Sequence, residues 1–107
     1  SASAPELRRW LNARIGPVLP RRAEAAAALG ISERTLARRL KEQGHTFDRL
    51  LDDVRRERAL HAVASTRTPL PEIAEALGFA EVSTFYRAFQ RWTGLPPVRW
   101  RKQQAEH

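Results

Sequence analysis

The sequence of 107 residues contains no cysteine and no methionine. The absence of cysteine excludes disulfides and metal sites built on thiolates. The histidines, His45, His61 and His107, are scattered and lack the spacing of metal ligands. No apolar run approaches the roughly 20 residues that a membrane-spanning helix needs, and no secretory signal pattern is present. We therefore expect a soluble, cytoplasmic protein that has no membrane partner, no metal and no cofactor.

The sequence patterns of common enzyme sites are also missing. Serine, histidine and aspartate occur, but not in the context of a nucleophile elbow, and no glycine-rich loop resembles one that holds phosphates. We therefore expect no enzymatic activity. Because methionine is absent even at position 1, we expect the chain to be a domain excised from a longer polypeptide.

Positive charge is what the sequence has in excess. Lys and Arg number 19 against 12 Asp and Glu, which gives a formal net charge of +7. All of these cations except Lys41 and Lys102 are arginines, whose planar guanidinium suits bidentate contacts with phosphate and guanine. This balance favours nucleic acid as a partner, because bound cations release the counterions condensed on it. A basic surface that serves only solubility is the alternative.

Proline and glycine divide the chain into segments that have helical rather than strand periodicity. We therefore predict an all-α fold of seven helices. Ser32, Thr46 and Thr68 are the predicted N-caps of the third, fourth and fifth helices, since their hydroxyl oxygens can accept a backbone N–H. The predicted helices span residues 5–15, 21–29, 33–43, 47–64, 69–77, 81–92 and 97–103.

An internal repeat indicates two similar units. Ala28–Ile31 recurs 48 residues later as Ala76–Phe79, and the segment that begins at Leu36 recurs 49 residues later, so the second copy has one extra residue in its turn. Each copy has the helix, glycine-containing turn and helix of a helix-turn-helix motif. Ala26 and Ala74 fall where the two helices of each unit should cross, and a larger side chain there would separate them. A generic helical hairpin is the alternative.

The second helix of each unit has an apolar face and an opposite, donor-rich face. Arg38 and Arg87 lie at the same place on the two donor-rich faces, and arginine can donate to guanine O6 and N7. The other polar side chains can contact base edges or phosphates. For either helix taken alone, a charged face that only contacts solvent is the alternative to a DNA-binding face. The donor-rich faces comprise Arg34, Thr35, Arg38 and Lys41 in the third helix, and Ser83, Thr84, Arg87, Gln90 and Arg91 in the sixth.

The fourth helix predicts the spacing between the two units. About 18 residues at roughly 1.5 Å each give a helix of about 27 Å. With the turns at its ends, the two recognition helices would lie about 34 Å apart, which is one turn of duplex DNA. We therefore predict that helices 33–43 and 81–92 enter successive major grooves and that the isolated domain is monomeric. The predicted domain, 1–107, consists of a first subdomain (4–45), a linker helix (46–65) and a second subdomain (66–105).

Segments 29–41, 72–79 and 83–94 resemble the two helix-turn-helix motifs of AraC/XylS-type transcription regulators. Pro97, Trp100 and Arg101 are similar to the closing segment of that family's domain. The resemblance covers nearly the whole chain. It implies two homeodomain-like subdomains that bind double-stranded promoter DNA and control transcription in bacteria. It also implies a separate effector or dimerisation domain on the same polypeptide, so that the full-length protein would be dimeric.

The resemblance also implies DNA contacts. Two of the contact positions depart from the family's pattern: Ala37 cannot hydrogen-bond a base and could touch only a thymine methyl, and Tyr86 is bulkier than the family's residue and would pack on the sugar-phosphate backbone. Ala80 would be a weak N-cap for the sixth helix. We expect the first unit to supply most base discrimination and the second to anchor the domain and set its register. The implied contacts are Arg34, Thr35, Ala37 and Arg38, and Val82, Ser83, Thr84, Tyr86 and Arg87.

Some roles stay open on the sequence alone. For Arg55, Arg56 and Arg58 in the fourth helix, internal ion pairs and phosphate contacts are equally compatible with the pattern. The tryptophans are expected in the core or at subdomain interfaces rather than stacked on bases; they are Trp10, Trp92 and Trp100. A helical module that binds RNA polymerase subunits is the alternative function, because exposed charged helices serve both purposes. Enzymatic activity is the third functional hypothesis.

Overall fold

A computed structural model describes residues 3–106 and shows seven helices and no strand within that range. Ser1, Ala2 and His107 lie outside the described residues. None of the described helices combines the length and the apolar character that crossing a membrane requires. The helices are α1 (Ala4–Arg14), α2 (Arg22–Ala28), α3 (Glu33–Glu42), α4 (Phe47–Ser65), α5 (Leu70–Ala76), α6 (Val82–Thr93) and α7 (Pro97–Ala105).

The predicted all-α fold is confirmed, and the helix ends differ from the predicted ones by only a few residues. Two of the predicted N-caps are also confirmed. The Ser32 hydroxyl accepts the Thr35 backbone N–H at 3.1 Å at the start of α3. The Thr46 hydroxyl accepts the Arg49 backbone N–H at 3.1 Å at the start of α4.

Two other predicted N-caps are wrong. Pro69, not Thr68, is the N-cap of α5, because the Thr68 hydroxyl instead accepts a hydrogen bond from Thr66 at 3.1 Å within the preceding loop. Glu81, not Ala80, is the N-cap of α6. The extra residue of the second turn is the reason, since it delays the start of the helix by one position. The predicted helix 81–92 therefore begins one residue later, at Val82.

The chain forms two compact units, and the boundary between them lies inside α4, between Val54 and Arg55. The first unit contains α1, α2, α3 and the first part of α4. Its core is almost entirely aliphatic, and Trp10, Ile15, Leu29, Ile31 and Leu51 pack against it partly buried. The buried core residues are Ala4, Leu7, Leu11, Ala25, Ala26, Leu36, Leu40, Phe47, Leu50 and Val54.

Polar contacts join helix ends in the first unit. The Ala4 backbone N–H donates to Gln43 Oε1 at 2.8 Å, so the residue that follows α3 holds the start of α1. Arg22 Nη2 donates to both carboxylate oxygens of Asp48, at 3.1 and 3.0 Å, between the starts of α2 and α4. Because Arg22 and Asp48 are exposed to solvent, their ion pair stabilises the fold by no more than about 1 kcal/mol.

The second unit contains the rest of α4 with α5, α6 and α7, and its core is aromatic. Phe85 and Phe89 of α6 are completely buried. Phe89 meets Trp92 and Trp100 edge to face, with ring centroids 6.3 and 5.4 Å apart. Such pairs add about 0.5–1.5 kcal/mol each to the burial of their surfaces. Trp92 and Trp100 thus lie against the core, as the sequence predicts.

Arg101 fixes α7 in the second unit. Its Nε donates to the Val63 carbonyl of α4 at 2.9 Å, and its Nη2 donates to the Thr68 carbonyl at 2.8 Å. These bonds satisfy carbonyl oxygens at and after the end of α4 that have no partner within the helix. Arg101, near the end of the sequence, therefore has a structural role in this unit.

Candidate nucleic-acid interface

Each unit turns at a glycine in the left-handed backbone conformation. Gly30 has φ 72° and Gly78 has φ 81°. In the first turn the Ile31 backbone N–H donates to the Ala26 carbonyl at 3.0 Å, and the equivalent bond of the second turn has the same length. This pattern closes the end of a helix and requires a residue that tolerates positive φ. The two turns therefore begin with the same local structure.

The turns then differ in length, as the repeat predicts. Residues 29–32 separate α2 from α3, whereas residues 77–81 separate α5 from α6. In both units the two helices pack against each other. Ala26 and Ala74, the residues predicted at the crossings, are each only 2% exposed. Their small side chains leave room for the second helix, as the helix-turn-helix interpretation requires.

The donor-rich face of α3 is exposed. Leu36 and Leu40 hold the opposite face in the core, so the helix can rotate little about its axis. Thr35 is the exception among the expected contacts, because it is half-buried and accepts a hydrogen bond from the Ser32 hydroxyl at 3.0 Å. The exposed members of the expected set are Arg34, Ala37, Arg38 and Lys41.

The donor-rich face of α6 is exposed in the same way, opposite the buried Phe85 and Phe89. Val82 and Tyr86 are among the large apolar side chains most open to solvent, each 38% exposed. An exposed valine and tyrosine on a basic helix suit contact with a thymine methyl and with sugar. The expected contacts that are exposed here are Val82, Ser83, Thr84, Tyr86, Arg87, Gln90 and Arg91.

The arginines at the centres of these faces are available to a ligand. Among residues 3–106, no acidic side chain forms an ion pair with Arg34, Arg38 or Arg87. Arg91 differs, since its guanidinium lies 5.6 Å from the centroid of the Trp92 ring. The central arginines can therefore donate to an anionic or acceptor-rich partner without first breaking an intramolecular bond.

Acidic residues at the starts of both helices were not among the expected contacts. Glu33 is the first residue of α3, and Glu81 is the N-cap of α6. The Ser83 hydroxyl lies 3.4 Å from Glu81 Oε2. A carboxylate at a helix N-terminus interacts favourably with the helix dipole, and it can also accept a hydrogen bond from the cytosine N4 amino group. The signal in the sequence is an acidic residue at or just before the start of each helix, although the helices are 49 positions apart and these two residues 48, so they occupy different helical positions.

The comparisons with known proteins agree with this architecture. A family model described as a helix-turn-helix domain matches residues 25–103. The ornithine utilization regulator of Pseudomonas aeruginosa is 45% identical over 96 residues, which cover 90% of this chain and 28% of that protein. The chain thus spans about a quarter of the length of the curated relatives that it matches.

Solved structures show the same fold. An AraC-type DNA-binding regulator from Chromobacterium violaceum has a TM-score of 0.86 at 23% identity, over 96% of this chain and 92% of that one. The DNA-binding domain of AdpA, a global transcriptional factor crystallised with a target DNA, has a TM-score of 0.79 at 22% identity. That match covers 96% of this chain and 93% of the other.

The difference between the two helix starts generates a stability prediction. Ser32→Ala should lower the free energy of unfolding by about 1 kcal/mol, because it removes a side-chain N-cap. Glu81→Ala should have a smaller effect, since Glu81 makes no side-chain cap bond. Denaturant unfolding followed by circular dichroism measures both. Equal losses for the two variants would contradict the difference in capping.

Proposed function

The chain belongs to the AraC/XylS family of transcription regulators as a helix-turn-helix DNA-binding domain, and we propose that it binds double-stranded promoter DNA sequence-specifically through α3 and α6. The observation that carries this proposal is the repetition of one arrangement in two units. In each unit a helix buries its apolar face, exposes its donor-rich face and has an unpaired arginine at the same place, Arg38 or Arg87. A charged surface that serves only solubility does not require this repetition.

Arg38 and Arg87 are proposed to donate to guanine O6 and N7 in the major groove. Arg34 and Lys41 in α3, with Gln90 and Arg91 in α6, would hold phosphates or neighbouring bases. The apolar Ala37 and Val82 would touch thymine methyls. Thr35 would contribute mainly through the capping bond that fixes the start of α3. The shorter polar residues Ser83 and Thr84, together with Tyr86, would complete the contacts of α6.

The two units would contribute differently to recognition. Two arginines and a lysine project from α3, whereas the face of α6 combines a central Arg87 with Arg91, which lies over Trp92, and with smaller polar side chains and a tyrosine. Arginine and lysine make the most common specific base contact, which is with guanine. We therefore propose that the first unit supplies most of the base discrimination, and that the second anchors the domain and sets its register.

We further propose that α4 sets the spacing between the two halves of the DNA site. α4 is one uninterrupted helix of 19 residues, which corresponds to a length of about 28 Å. Half-sites that are read by two helices of one protein lie about 34 Å apart, one turn of the duplex. A single chain would then read a two-part site in successive major grooves without forming a dimer.

Other partners are proposed for the complete polypeptide rather than for this segment. An effector or dimerisation domain outside this sequence would determine the oligomeric state of the full protein, while the isolated domain would bind as a monomer. Contacts with RNA polymerase would use basic surface that remains free when α3 and α6 are bound to DNA.

In vitro selection of duplex DNA, followed by a salt titration on the selected site, tests the proposal. We expect a two-part motif, and the logarithm of the association constant should fall linearly with the logarithm of the salt concentration, because each phosphate contact releases counterions. A matched duplex with a scrambled motif is the control. Binding without sequence preference and without salt dependence would instead favour a protein-interaction module.

Arg38→Ala and Arg87→Ala should each weaken binding by about 1–3 kcal/mol and should relax base preference in different halves of the site. Repeating the selection with each variant measures both effects. Lys102→Ala is a control, because it removes one exposed positive charge that lies outside α3 and α6. If both arginine variants altered the same half-site, one chain would not read two half-sites.

Inserting four alanines between Val54 and Arg55 should abolish high-affinity binding. The insertion lengthens α4 by about 6 Å, while both cores keep their own residues. Circular dichroism should show that the variant remains folded, and binding to a selected site is measured by titration. A site with wider spacing between its halves is the control for restored binding. Unchanged affinity for the original site would show that only one unit touches DNA.

A further inference from the structure

Arg55 makes two contacts with the turn of the second unit. Its Nε donates to the Leu77 carbonyl at 2.9 Å. Its guanidinium carbon lies 3.7 Å from the centroid of the Phe79 ring, well inside the distance at which a cation over an aromatic face is attracted. The residue is half-buried, and it belongs to α4, the helix before the motif. Arg55 therefore contacts the turn from outside the two helices that the turn connects.

The contacts of Phe79 lead from this turn to α6. The Phe79 ring meets Phe85 edge to face with centroids 5.4 Å apart, and Trp92 with centroids 6.3 Å apart. Phe85 is in the first turn of α6 and Trp92 is near its end. The Phe79 ring thus contacts both ends of the helix that carries Arg87. A group that holds this ring in place therefore also restricts the position of α6.

The second turn needs such a contact more than the first. The first turn is shorter, and α3 starts with the side-chain cap of Ser32. The second turn has one extra residue, and its N-cap residue, Glu81, makes no side-chain cap bond. Additional chain length without a cap allows more conformations of the turn, and ordering them costs entropy. The Arg55 contacts restrict the turn at Leu77 and Phe79, just before the extra residue.

We propose that Arg55 is a positioning residue for DNA recognition, which holds the second turn so that α6 presents Arg87 in a single orientation. The proposal rests on the proposed function of α6 in binding DNA. It assigns an internal role to one of the three α4 arginines whose roles the sequence leaves open. Arg55 acts through Leu77 and Phe79 and does not itself need to touch DNA. The loss of its contacts should therefore affect the second half-site and spare the first.

The test compares Arg55→Met with Arg56→Met. Methionine keeps an unbranched, apolar stem but removes the guanidinium. Arg56 is the adjacent, exposed arginine, so its variant makes the same change in charge. In repeated DNA selections, Arg55→Met should weaken base preference in the second half of the motif and keep it in the first. The loss of affinity should be about tenfold, because only molecules in which the turn is ordered can bind with α6 in place. Arg56→Met should leave both halves of the motif intact.

Backbone hydrogen exchange on the free protein provides a readout that does not depend on DNA. In Arg55→Met, the amides of residues 78–85 should exchange faster, while those of α7 and of the first unit should be unchanged. Arg55→Lys keeps the positive charge but has no Nε–H, so it should restore only part of the protection. Because lysine is the milder change, Arg55→Lys can replace Arg55→Met in both measurements if Arg55→Met does not fold.

The outcomes separate the two proposals. Equal loss of preference in both halves of the motif, or faster exchange throughout the second unit, would mean that Arg55 stabilises the fold without positioning α6. Full protection of residues 78–85 in Arg55→Met would overturn the proposal as well. If the wild-type chain bound no duplex DNA, the proposed function would fail, and the exchange data would still decide whether Arg55 orders the start of α6.

Discussion

The packing of the two helices in each unit against each other, with Ala26 or Ala74 buried, is the constraint on which the rest of the structure depends. A larger side chain at either position would move the second helix outward. With the crossing fixed and with Leu36 or Phe85 buried behind it, the second helix has one available rotation about its axis. The opposite face must then be exposed. The orientation of Arg38 and Arg87 toward solvent is thus a consequence of packing on the other side of their helices.

The two units meet this constraint with different chemistry. The first has an aliphatic core, a short turn and a serine cap. The second has an aromatic core whose rings meet edge to face, a longer turn and arginines that donate to backbone carbonyls. Such rings have preferred angles as well as preferred distances, so they fix orientation in a way that leucine packing does not. One supersecondary plan therefore tolerates two kinds of interior.

Periodicity and repetition were sufficient to predict the helices and the exposed faces of α3 and α6, because these features depend on residues close together in the chain. The helix starts at Pro69 and Glu81 were predicted wrongly, since a side chain suited to capping, as in Thr68, can find another partner in its loop. The roles of Arg55 and Arg101 could not be predicted. Their carbonyl partners, at Leu77 and at Val63 and Thr68, are brought near only by tertiary packing. Because every residue has a backbone carbonyl, the sequence does not indicate which one a side chain will contact.

The division inside α4 has a consequence for how the domain unfolds. Residues 47–54 are held by one core and residues 55–65 by the other. Each part is shorter than the roughly 12–15 residues that an isolated helix needs to persist in water. When one core melts, the part of α4 that it supported loses its order, and the helical end of the remaining part begins to fray. Melting of one core is therefore expected to shorten the part of α4 that the other core retains.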